Sequence, residues 1–118
     1  MKCRMLFVFL FAFNVGIAQY ASKSITEITS DELSHVQLLD VRTQEEYDAG
    51  HLKGAIQMDW FSDDFDTQTR CLDKQKTIYV YCKLGGRSAK AQERLKSLGF
   101  TQVVNLEGGY DAWSAAHK

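Results

Sequence analysis

Proline is absent from all 118 residues. That removes proline-rich recognition motifs and stiff proline linkers from consideration. Internal repeats and low-complexity tracts are also missing, so nothing points to a solenoid or a disordered tail. Charge of one sign is lacking as well: 14 basic residues face 15 acidic ones, for a formal net charge of −1. Such a balance argues against nucleic acid as the main partner, because phosphate binding needs a basic surface. Cysteine is scarce, with three in the chain, and no Cys/His cluster has metal-ligand spacing, so no metal and no organic cofactor is expected. What remains is 45% hydrophobic and 25% charged residues, ordinary globular composition with enough length to bury a core unaided.

One long apolar run exists, and it lies at the start. Lys2 and Arg4 precede Leu6 to Ala18, and Gly16 and Ala18 fit the small-residue positions before a cleavage at Gln19. This is the order of a secretory signal peptide. The run is 13 residues long, short of the roughly 20 a spanning helix needs. Cys3 precedes the run, a poor place for a lipid anchor. The reading is a signal peptide at 1–18 and one domain at 19–118, periplasmic or secreted, with membrane contact only through the segment if it stays uncleaved. Without it, twelve basic residues face fifteen acidic ones, a net charge of −3, and Cys71 and Cys82 are the remaining cysteines. In an exported protein these two could form a disulfide or exchange with thiols.

The most informative stretch runs from Thr77 to Arg94. Thr77-Ile78-Tyr79-Val80-Tyr81 is a β-branched and aromatic run that predicts a buried strand. Cys82-Lys83-Leu84-Gly85-Gly86-Arg87 follows, then Ser88 and a helical pattern with Ala91, Leu95 and Leu98 at i, i+4, i+7. A tight loop between a strand and a helix N-terminus turns its backbone N–H groups toward one point and adds the helix dipole. A cysteine there is favoured as thiolate. Cys82 is therefore the candidate nucleophile, and Lys83, Leu84, Gly85, Gly86, Arg87 and Ser88 form the candidate anion cradle.

Elsewhere the chain alternates. Ser24 to Ile28 reads as a short strand or extended segment, with Ser30 as the cap of a short helix ending near His35. Val36 to Val41 is a mostly apolar strand, as expected where both faces of a sheet are covered. Thr43 caps a helix with Glu45 and Glu46 in its first turn, Tyr47 as its apolar anchor and Gly50 as its stop. Ala55 to Met58 is a short strand, Trp60 to Leu72 a short amphipathic helix plus loop. The helix after the loop runs from about Arg87 to Leu98, Thr101 to Leu106 is the last strand, and a terminal helix begins near Tyr110. Alternation of this kind predicts an α/β fold with a parallel sheet, helices on both faces and the ligand site at the strands' carboxyl ends. Cys82 lies at one such end, Asp40 and Arg42 at another.

These pieces resemble a single-domain rhodanese, a sulfurtransferase. The matching residues are Leu39-Asp40-Val41-Arg42, Glu46-Tyr47, Gly50-His51-Leu52, Gly54-Ala55, Tyr81-Cys82, Gly85, Arg87-Ser88, Ala91, Leu95, Leu98-Gly99-Phe100, Val104, Leu106, Gly108-Gly109 and Trp113. Each is weak alone; their joint order over about Ile25 to Trp113 is specific. The resemblance implies a five-stranded parallel sheet, a persulfide on Cys82, and as partners a small anionic sulfur donor and a thiol acceptor. Attack on the outer sulfur of thiosulfate would give Cys82–S–SH and release sulfite, and an acceptor thiol or cyanide would remove the sulfur.

The supporting residues leave alternatives. Arg87 could aim its fork at an anion or at a nearby carboxylate. Lys83 at the rim would draw in anions, and Ser88 would cap the helix. Asp40 and Arg42 read as a structural pair under the pocket. His51 suits a structural hydrogen bond better than general-base work, and Tyr110 and Trp113 read as core or surface aromatics. Rhodanese-fold phosphatases resemble the loop but hold five residues between Cys and Arg; here Lys83 to Gly86 makes four, a smaller cradle. A non-catalytic rhodanese-fold binding or sulfur-carrier module is the remaining alternative.

Overall fold

The computed structural model describes residues 20–118, so the proposed signal peptide lies outside the described residues. Five strands form one sheet: β1 (Ala21–Ser24), β2 (Gln37–Asp40), β3 (Ile56–Gln57), β4 (Ile78–Tyr81) and β5 (Val103–Glu107). Their order is β1-β5-β4-β2-β3, and every pair is parallel. The helices are α1 (Ser30–Leu33), α2 (Gln44–Ala49), α3 (Phe65–Gln68), α4 (Gly86–Ser97) and α5 (Gly109–Ala116), with 3-10 turns at Ile25–Glu27 and Thr69–Cys71.

The sheet is covered on both faces, which is why β2 and β4 read as continuous apolar runs. On one face Leu39, Val41, Ile78 and Val80 pack with Phe65 of α3 and Ala91 and Leu95 of α4. On the other, Leu38, Tyr79, Tyr81 and Leu106 pack with Ile25 and Leu52, flanked by Tyr47 of α2 and Trp113 of α5. Ala91 and Leu95 have no exposed surface; burying Leu95 alone contributes about 2 kcal/mol to seating α4.

Two local expectations shift. Ile25 to Ile28 is not a strand: Ile25–Glu27 is a 3-10 turn, and the strand lies just before it. Ala-Ser-Lys-Ser carries no apolar signal, and as an edge strand it is held through its ladder to β5. The turn instead places Ile25, fully buried, into the core. In the next helix Thr29, not Ser30, is the cap, its hydroxyl accepting from the Glu32 amide at 3.0 Å. Two adjacent hydroxyls competed for that position.

The register sets up the site. Leu39 pairs with Val80 and Asp40 with Tyr81, so β2 and β4 end level with each other. Asp40 is thereby held beside Tyr81, and both stand next to the residue that leaves β4, Cys82.

Candidate active site

Cys82 follows β4 directly, Lys83 to Gly85 form an arch, and α4 starts at Gly86. Gly85 turns the arch with φ +128°, a conformation costly to residues with a side chain. Its amide donates to Cys82 Sγ at 3.0 Å. The Ser88 hydroxyl lies 3.4 Å from the same sulfur and 3.1 Å from the Gly85 carbonyl oxygen. Ser88 is thus not the helix cap. Gly85 holds that position without a side-chain bond, and Ser88, one turn on and fully buried, points its hydroxyl inward at the sulfur. Burial pushes the Cys82 thiol up. Hydrogen bonds from the Ser88 hydroxyl and from the Ser88, Gly85 and Leu84 amides outweigh it, leaving the thiol below its ordinary range.

The sequence predicts an ionised sulfur at an open mouth. The amides do converge on it, but Cys82 has no exposed surface. It belongs to the buried cluster that includes Val41, Met58 and Ala91, while Leu84 on the arch is 68% exposed and a Cβ on Gly85 or Gly86 would meet no atom within 4 Å. A donor therefore reaches the sulfur only if groups packed around it move. Cys71 is exposed, and both thiols are free, so no disulfide joins them.

Two ion pairs lie beside the arch. Of the two roles open to Arg87, the carboxylate takes the fork: its Nη1 and Nη2 donate to Glu46 Oε1 and Oε2 at 2.8 and 3.0 Å. Glu46 is set in place by a capping box with Thr43 at the start of α2. Lys83 is not the free rim cation expected from its sequence position. The first turn of α5 folds beside it, and its Nζ lies 2.8 Å from Asp111 Oδ2.

Arg87 and, less, Thr43 hold the Glu46 carboxyl down at about 2, against the desolvation that opposes them. A lowered carboxyl stabilises the fold above its ordinary value of 4.5 and loses that contribution as pH falls from 4.5 toward about 2. Glu46 is 29% exposed, so screening reduces the pair to about 1 kcal/mol. Glu46→Gln should lower the melting temperature by roughly 5 °C at pH 7. In melts taken between pH 7 and pH 3 the gap to wild type should narrow below about pH 4.5. A gap constant across that range would mean the variant acts by something other than the ion pair.

Beneath the arch lies a buried network. Asp40 Oδ1 accepts from Arg42 Nε at 2.9 Å and from the Arg42 amide at 3.0 Å. Oδ2 accepts from Arg42 Nη2 and from the Tyr81 hydroxyl, both at 2.7 Å. Arg42 Nη2 also donates to the Gly50 carbonyl at 2.7 Å, and the Leu52 amide donates to the Tyr81 oxygen at 3.1 Å. The Tyr110 ring covers the guanidinium, 4.4 Å from Cζ to centroid. Asp40 and Arg42 are thus structural partners, as their sequence context suggests. His51 is structural too: its Nδ1 bonds the Tyr47 carbonyl at 2.8 Å and its ring stacks on Tyr47.

Sequence reasoning missed three parts of the site. The Tyr110 amide donates to the Cys82 carbonyl at 2.7 Å and the Asp111 amide to the Lys83 carbonyl at 3.1 Å, so α5 clamps the start of the arch. Its adjacent glycines, Gly108-Gly109, were a visible sign of a close approach. Glu46 was visible as a helix-start acid but not as the partner of Arg87. Tyr81 gave no sign beyond a strand aromatic.

The profile of the Rhodanese-like domain family matches residues 25–116. The chain is 35% identical over 104 residues to "Thiosulfate sulfurtransferase 16, chloroplastic" of Arabidopsis thaliana, covering 80% of this chain and 87% of that one. It is 30% identical over 98 residues to "Thiosulfate sulfurtransferase GlpE" of Coxiella burnetii, covering 80% and 90%. Among solved structures, a rhodanese-related protein from Thermoplasma volcanium superposes with a TM-score of 0.72 at 28% identity, covering 81% of this chain and 92% of that one.

Proposed function

We propose that this chain, which belongs to the rhodanese-like domain family, is a sulfurtransferase that carries sulfane sulfur as a persulfide on Cys82. The observation that carries this reading is the donor set on Sγ. The amide of Gly85 at 3.0 Å and the hydroxyl of Ser88 at 3.4 Å favour a thiolate where α4 begins. Relatives named as thiosulfate sulfurtransferases support sulfur transfer in general.

The thiolate attacks the outer sulfur of a donor such as thiosulfate. The Sγ–S bond forms, the donor's S–S bond breaks, and sulfite departs with the electron pair. The persulfide sulfur takes up the negative charge that Sγ gave up and extends it into the arch. The Leu84, Gly85 and Ser88 amides are placed to hold it there without a counter-ion. A second nucleophile, a thiol or cyanide, then takes the outer sulfur and restores the thiolate, so the cycle needs neither metal nor redox partner. The Asp40–Arg42–Tyr81 network holds the ends of β2 and β4 together beneath the loop. With residues 1–18 as a signal peptide, the proposed location is the periplasm or outside the cell.

Incubation with thiosulfate followed by intact mass tests both parts. A gain of about 32 Da, one sulfur atom, is expected on wild type and not on Cys82→Ser. If the segment is cleaved on export, the mass should be that of a chain starting at Gln19. An unmodified wild type would favour a rhodanese-fold binding module without catalysis.

A further inference from the structure

A cavity of about 540 Å³ lies on the sheet face away from α4, within the range of roughly 300–1,000 Å³ typical of small-molecule sites. Leu38 and Leu52, both buried, line it together with Leu33, Val36 and Trp113, which are half-buried. Lys53 and His117, both exposed, complete its edge. The cations near Cys82 each have a carboxylate: Arg42 has Asp40, Arg87 has Glu46 and Lys83 has Asp111. Among the described residues Lys53 and His117 have none. His117 uses only Nδ1, which bonds the Trp113 carbonyl at 2.8 Å. An apolar cavity edged by two unmatched basic groups complements a ligand with an apolar body and one carboxylate.

From this arrangement we infer that the cavity binds a small monocarboxylate with an apolar body, and that its occupancy slows sulfur loading of Cys82. The carboxylate lies at Lys53 and His117, and the body is buried against Leu33, Leu38, Leu52 and Trp113. The second half of the inference rests on the persulfide reading above and adds a regulator to it. Leu52 and Trp113 belong to segments that reach the catalytic loop. The Leu52 amide donates to the Tyr81 oxygen at 3.1 Å. The Trp113 ring lies 5.7 Å from the Tyr110 ring, and the Tyr110 amide donates to the Cys82 carbonyl at 2.7 Å. A body packed on Leu52 and Trp113 gains its contacts only while α5 stays in place, so it favours that state. The sulfur is reached only when groups packed around it move, so loading is slower with the cavity filled.

The test titrates the protein with octanoate and with octanol, its uncharged counterpart, and follows backbone amide NMR shifts. Shifts at Leu33, Leu52, Gly54 and Trp113 should saturate with octanoate at a dissociation constant of about 1 mM or tighter. Lys53→Gln should weaken octanoate threefold or more at low salt and leave octanol unchanged, and the difference should close at high salt. Leu33→Ser should weaken both. Thiosulfate loading of Cys82, followed by intact mass, should slow twofold or more at saturating octanoate, and Lys53→Gln should need at least three times as much octanoate for the same slowing. No saturable shift at these residues, or an octanoate affinity that Lys53→Gln does not change, would overturn the site. So would the same shifts on changing protein concentration alone, which would assign the cavity to a second copy of this chain. Binding with an unchanged loading rate would overturn the regulation. A protein that thiosulfate never loads would overturn the persulfide reading and the regulation with it, while the binding result stands by itself.

Discussion

Asp40→Ala is expected to destabilise the protein by about 3–5 kcal/mol, because it leaves the buried Arg42 guanidinium without its counter-charge. Arg42 is only 4% exposed at its side chain and Asp40 is fully buried, so water cannot replace the lost oxygens. The same change removes the acceptor of the Tyr81 hydroxyl, whose proton burial already holds tightly, well above the ordinary phenol range. Against a typical total of about 5–15 kcal/mol, such a loss should lower the melting temperature by about 15 °C or more. Urea titration of the variant measures it directly. The mechanism has a second signature: Asp40→Leu combined with Arg42→Met, which removes both charges, should recover a large part of the loss. A double variant no more stable than Asp40→Ala alone would assign the cost to lost packing or hydrogen bonds rather than to a stranded charge.

Gly109→Ala should slow sulfur loading of Cys82 by about tenfold to a hundredfold. A Cβ at Gly109 would lie 2.3 Å from the Lys83 carbonyl oxygen, 2.5 Å from its carbon and 2.7 Å from the Cys82 carbonyl oxygen. These are backbone atoms of the arch, and no rotamer change relieves them. Either α5 backs away or the arch shifts, and in both cases the Tyr110 and Asp111 amides lose the Cys82 and Lys83 carbonyls. The left-handed φ of +64° at Gly109 adds about 1 kcal/mol for any side chain. Gly54→Ala separates the two effects. Gly54 also has a positive φ, +87°, but a Cβ there meets no atom within 4 Å. It should cost about 1 kcal/mol of stability and leave loading at the wild-type rate. If Gly109→Ala loads as fast as Gly54→Ala, α5 does not position the arch.

Much of this protein was legible because its signals are local. Thr43 and Glu46 are three residues apart, and their capping box is a contact within one helical turn. The apolar run of β4, the Gly85-Gly86 break and the i, i+4 pair Ala91 and Leu95 name strand, arch and helix in sequence order, and the parallel α/β fold follows from repeating that alternation. The thiolate preference of Cys82 is also local: its donors, Leu84, Gly85 and Ser88, all lie within six residues of it. Even the pairing of Asp40 with Arg42 spans only two residues.

What the chain order could not reveal is which charges meet across the fold. Arg87 and Glu46 are 41 residues apart, Lys83 and Asp111 28, and several carboxylates were equally eligible for each. Packing of α2 and α5 against the carboxyl ends of the strands made the choice. The burial of Cys82 has the same origin. A residue type and its neighbours say whether a sulfur will be ionised, since hydrogen bonding acts over a few ångströms. Whether solvent reaches that sulfur depends on every element packed around it. The chemistry of Cys82 was therefore written in the loop, while access to it was decided by the assembled fold.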